Sequence, residues 1–255
     1  MDIDFSSLSR SRLLDMSRAG DQVLESFRVL GKGGANVVSQ VLKQQDTFYE
    51  MDHYPPGDVY DDESHAQYYY HAHRPDTQEH GHFHTFLRAK AIPAEIAPYP
   101  VSCDAERPTG DDAICHLIAI SMDRSGLPIR LFATNRWVTD ETFYRAGDVI
   151  ALLDRFSIDH VHPCLATNQW LTAMVRLFRP QIEELLRARD AKLLGLENAN
   201  PEADVFEDRD VEVTSSLEID IDLQIEQVDG ALAERHGNQI SEGVNPPDDQ
   251  SRSNG

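Results

Sequence analysis

The sequence predicts an α+β domain, a small antiparallel sheet of about four strands packed with helices from both ends of the chain. Three observations carry this. Apolar residues recur at helical spacing near the N-terminus and again in the last half of the chain. The middle third alternates apolar and polar positions with β-branched and aromatic side chains. The turn Asp123-Arg124-Ser125-Gly126 separates two of its strand-like runs.

Leu13, Met16, Val23, Phe27 and Leu30 form the stripe of a first helix that ends at Gly31-Lys32-Gly33-Gly34. This glycine link follows a helix and lacks the spacing of a phosphate-binding loop, so it reads as a connection. Val37, Val38, Val41 and Leu42 mark a second, shorter helix, after which Tyr54-Pro55-Pro56-Gly57 turns the chain. Strands are expected near residues 66 to 74, 80 to 90, 113 to 122 and 128 to 135. Helices resume at Thr139-Asp140-Glu141, where a Thr cap and two acids suit the positive end of a helix dipole. A further helical pattern runs from Thr167 to Leu194, with Pro180 kinking or dividing it. Val211-Glu212-Val213 reads as a short strand, and residues 223 to 233 as a helix. The domain is expected over residues 1–236, with 237–255 a disordered polar, acidic tail.

The chain has 255 residues, 40% of them hydrophobic, enough for a sizeable core. Its net charge of -21 leaves no basic excess to displace counterions from phosphates, so neither nucleic acid nor an anionic membrane is an expected partner. That charge is uneven, because from Leu196 onward 16 acids meet only 3 arginines. No apolar run approaches the roughly 20 residues that span a bilayer. Cys103, Cys115 and Cys164 are odd in number and widely spaced, which suits reduced thiols and a cytoplasmic setting. Cys115 sits in an apolar strand, where a thiol is usually inert, and there is no G-x-S-x-G elbow.

The functional signal lies in YYYHAHR and EHGHFHTFL, which place five histidines on alternate positions of two successive strands. Joined by the four-residue loop Asp76-Thr77-Gln78-Glu79, these strands would set Pro75 against His80, His73 against His82 and His71 against His84. All five imidazoles then share one face, while Tyr68, Tyr70, Ala72, Phe83, Thr85 and Leu87 form the core-facing one. Crowded imidazoles disfavour the cationic form, and neutral imidazole ligates zinc, iron, copper and nickel. The expected ligand pool is His71, His73, His82 and His84, holding a divalent transition metal, with zinc or iron the leading ions. Glu79 is the expected proton-moving acid. Asp58, Asp61, Asp62, Glu63, His65 and His116 are accessory candidates. The plainer reading of the hairpin is a hydrogen-bonded or solvated face without an ion. His53, His65, His160 and His162 read individually as ordinary polar residues. Asn135-Arg136-Trp137 at a strand end adds a candidate for gripping an anionic small molecule through Arg136.

His80-Gly81-His82-Phe83-His84 resembles the signature of the histidine triad nucleotide hydrolases and transferases, which implies His82 as a nucleophile. Gly81 stands where that family prefers an apolar residue. More broadly, residues 10 to 230 resemble a group of bacterial proteins of unknown function carrying G-H-F-H-x-F, here Gly81 to Phe86, and T-N-R-W-V-T, here Thr134 to Thr139.

Overall fold

The computed structural model describes residues 3–43, 47–72, 78–101 and 106–242, with side chains to residue 235. Six strands make one sheet in which every neighbour in space is also the neighbour in sequence: β1 (Tyr54–Tyr60), β2 (Ala66–His71), β3 (Glu79–Arg88), β4 (Ile114–Asp123), β5 (Pro128–Thr134) and β6 (Val213–Glu218). All five pairings are antiparallel. The four expected strands are β2 to β5, and the sheet gains one more at each edge. β1 runs straight through Tyr54-Pro55-Pro56-Gly57, which read as a turn. Two prolines without N–H groups are tolerated there because β1 is an edge strand, and its pairing with β2 is interrupted between Tyr54 and Val59. β6 begins at Val213, where the expected short strand ended.

Seven α-helices accompany the sheet among the described residues: α1 (Arg10–Lys32), α2 (Val37–Val41), α3 (Arg136–Thr139), α4 (Ala146–Leu152), α5 (Leu165–Leu177), α6 (Arg179–Ala199) and α7 (Ile221–Glu242). Ser9 caps α1 by accepting from the N–H of Arg12. The glycine link that follows is the connection expected, with Gly34 at φ +67°. Asn36 closes a capping box at α2 and also donates to the carbonyl of Ser125 in the β4–β5 turn. Thr139 does not start a helix as expected. It ends the short α3, which begins one residue after Asn135, because the Asn135 side chain accepts from the N–H of Arg136 and takes the cap. The long pattern from Thr167 divides at Phe178, and Pro180 sits in the first turn of α6, where a missing N–H goes unnoticed. The boundary expected at residue 236 falls within α7, and residues 243–255 lie outside the described residues.

One sheet face and the helices share a single core. Tyr68, Tyr70, Phe83, Leu87, Ile118, Ile120 and Leu131 from the strands meet Val23, Val38, Trp170, Met174, Ile182 and Leu185 from α1, α2, α5 and α6. Each such fully buried side chain contributes about 1.5–3 kcal/mol by leaving water. With that face committed to the core, alternation sends His71, His82, His84, Arg130 and Phe132 to the opposite face. Among the described residues no helix is long and apolar enough to cross a membrane.

Candidate metal centre

His71 pairs with His82 across the β2–β3 hairpin, and Tyr69 pairs with His84. The expected register, with His71 against His84, is therefore displaced by two residues. A shift of two preserves side-chain parity, so the histidines still share a face. His73, the fourth ligand expected, lies outside the described residues, as do Pro75 and the first two loop residues, Asp76 and Thr77.

His71, His82 and His84 form a cluster that could hold a metal ion, each offering a ring nitrogen, with these atoms all within 4.8 Å of one another. His82 and His84 have no exposed surface and His71 has 6%. Nε2 of His71 lies 2.8 Å from Nε2 of His82. Nδ1 of His82 lies 2.7 Å from Oε1 of Glu79, so it donates to the carboxylate. Nε2 of His82 then carries its lone pair, and His71 is the donor across the 2.8 Å contact. Metal–nitrogen bonds of about 2.0–2.1 Å would put tetrahedral ligand nitrogens roughly 3.3 Å apart, so ligation by this pair would take a small outward shift and the departure of the proton from Nε2 of His71.

Two of the three imidazoles are oriented from behind by described side chains. Glu79 takes the proton of His82 with Oε1, while its Oε2 accepts from Nη2 of Arg130 at 2.7 Å. Behind His84, Nδ1 meets Nε2 of His116 at 3.0 Å, and Nδ1 of His116 lies 3.4 Å from the Thr134 hydroxyl. Burial, with the charge of Arg189, pushes His116 down to about 3, so it supports His84 as a neutral ring. Phe132 closes the cluster edge-on against His82 and His84.

Glu79 and His80 exchange the sides that strict alternation would give them. Glu79 pairs with Asp123 and Gly81 with Met122, leaving His80 as an extra residue in β3. This β-bulge reverses parity before Gly81. Glu79 turns in beneath His82, whereas His80 leaves the histidine face: its Nδ1 lies 2.6 Å from the Tyr70 hydroxyl, and its ring stacks on Phe48. The expectation of five histidines on one face is corrected accordingly.

The other candidates go elsewhere. Asp61 accepts backbone N–H groups of Glu63 and Ser64 in the β1–β2 turn, and His65 meets the Tyr60 hydroxyl. Arg136, expected to grip an anion, is buried and donates instead to Glu207, Asp140 and the carbonyl of Glu141. Trp137 donates to the carbonyl of Val211. Cys115 lies in the core, where burial pushes its thiol well up, in keeping with an inert role. Arg130 and Thr134 belong to no ligand pattern in the sequence, although alternation from Phe132 places both on the histidine face.

A sequence family described as a domain of unknown function (DUF6969) matches residues 17–219. The chain belongs to this family. The match agrees with the expected kinship to proteins of unknown function, and the DUF6969 span contains the whole histidine cluster with Glu79, His116 and Arg130. No curated protein and no solved structure matches the chain.

Proposed function

We propose that this domain binds a divalent transition metal, zinc or iron(II), through His71, His82 and His84, and that the ion serves metal-dependent chemistry on a small molecule. The observation that carries the reading is the combination of three buried imidazoles with ring nitrogens within 4.8 Å and separate hydrogen-bonded supports behind two of them. Ligating histidines characteristically donate their second N–H to a carboxylate or another acceptor, which fixes the ring and raises its basicity. A merely solvated histidine face would not need to exclude water from all three rings. Three imidazoles with a further position for water or substrate is the general form of a catalytic site for such ions, and a bound ion would polarise a substrate or lower the pKa of bound water. Glu79 in this reading holds His82 rather than moving protons. Covalent chemistry at His82 finds less support, since both of its ring nitrogens are engaged and the side chain is fully buried.

The test is elemental analysis of untagged protein purified without chelator, beside His82→Ala and His84→Ala. Near-stoichiometric metal in the wild type and its loss in both variants is expected. A wild type that takes up no zinc, iron or cobalt on titration would overturn the reading and leave a non-catalytic interaction domain as its replacement.

A further inference from the structure

Donors as buried as these need a way in for the ion. Two described features touch the cluster from outside. One is a cavity of about 420 Å³ lined by Gln78, Glu79, Ile129, Arg130, Glu218 and Ile219. A cation arriving there meets the Arg130 guanidinium and then the Nδ1 side of His82, the side turned away from His71. The other is His53, whose side chain is 42% exposed, with its partner Asp58 at 17%. Exposure falls from His53 through Asp58 to His71 at 6% and to the sealed His82 and His84.

The local geometry prepares His53 to receive a cation. Between Tyr54 and Val59 the pairing of β1 with β2 shifts, and Asp58 adopts φ +60°, a left-handed conformation that Asp tolerates better than most residues. This brings Oδ1 of Asp58 to 3.1 Å from Nδ1 of His53, while Oδ2 accepts from the Gln67 amide at 2.6 Å. With Nδ1 of His53 directed at the carboxylate, the neutral ring keeps the lone pair of Nε2 for an ion. The ring lies flat on Tyr69, with centroids 3.6 Å apart, and stands edge-on to His71 at 5.6 Å. Tyr69 in turn touches both His71 and His84.

We infer that His53, oriented by Asp58, is a surface capture point for divalent transition-metal ions and passes them to the buried histidines through His71. The inference rests on the metal reading above. The handover is a ligand exchange in which a bond to a His71 nitrogen forms as the bond to His53 breaks, with no electron transferred.

The test uses full-length protein and cobalt(II), whose visible absorption reports ligation. Uptake is followed by rapid mixing, and release by challenge with excess chelator, in wild type, His53→Ala, His53→Gln and Asp58→Asn. A route affects both directions alike, so both His53 variants should take up and release cobalt several-fold more slowly, with unchanged stoichiometry, equilibrium Kd and final spectrum. Asp58→Asn should slow both steps less. Wild-type rates in the His53 variants would overturn the inference. So would a weakened Kd with an altered spectrum, which would make His53 a permanent ligand. Failure of wild-type protein to bind cobalt at all would instead refute the metal centre itself.

Discussion

Oε1 of Glu79 lies 2.7 Å from Nδ1 of His82 on one side of β3, although three positions separate them and alternation would place them on opposite sides. The extra residue His80 makes this contact available. Glu79→Gln keeps the shape but removes the charge that draws on the imidazole proton. Metal affinity should fall about 10–100-fold, as for other second-layer partners of ligating histidines. Chelator competition measures this, and an unchanged Kd would separate Glu79 from the metal.

Gly81 admits no side chain. A Cβ there would stand 2.6 Å from the carbonyl oxygen of His71 and 2.6 Å from the Tyr70 hydroxyl. Gly81→Ala must push the two strands apart beside the His71–His82 pair, with a destabilisation of about 1–3 kcal/mol. Urea denaturation of metal-free protein should show the loss, and cobalt affinity should weaken with it. A variant as stable as wild type would contradict the close packing described.

Arg136 gives the opposite pattern. Its buried guanidinium donates to Glu207 and to Asp140, whose carboxylates reach solvent, so removing it costs the charge-assisted hydrogen bonds, about 1.5–3 kcal/mol, rather than leaving a buried charge unpaired. Arg136→Ala should therefore lower the melting temperature strongly while the protein that remains folded keeps full metal stoichiometry. A stable variant with altered small-molecule binding would restore the anion-gripping role.

Glu141 makes stability depend on pH. It is fully buried, accepts the N–H of His116, and burial raises its carboxyl to about 7 despite the opposing charge of Arg189. Between the ordinary glutamate value near 4.3 and that raised value, the folded chain keeps a proton that the unfolded chain has lost. The contribution of this group to stability therefore falls as pH rises through that window. Glu141→Gln retains an acceptor for His116 and removes the titration. Relative to the variant, wild type should lose stability between pH 5 and pH 8. Parallel urea curves at the two pH values would contradict this.

The sequence announces the middle of the sheet and the long helices because alternation and the helical period are strong there. It hides β1, since Pro55, Pro56 and Gly57 are turn residues everywhere except on an edge strand. The expected register differs because nothing in the letters fixes where the β2–β3 connection turns; the observed pairing places its midpoint one residue earlier in the chain. The shift was even, so His71, His82 and His84 still share a face. Glu79 was legible as a nearby acid, but the contact it makes depends on a bulge that no periodicity reveals. His53 reads as an ordinary polar residue because Asp58, five positions on, reaches it through a left-handed backbone, which leaves no pattern in the letters.

The sequential order of the strands has a kinetic side. His71 and His82 are eleven residues apart and His84 follows two later, so closing the β2–β3 hairpin brings the three donors together. Short loops close early and at small entropic cost, whereas docking helices from opposite ends of the chain comes with long-range closure. A metal ion present while the chain folds would therefore meet its three imidazoles before the core behind them is complete, and could act as a template on which that hairpin is held while the rest assembles.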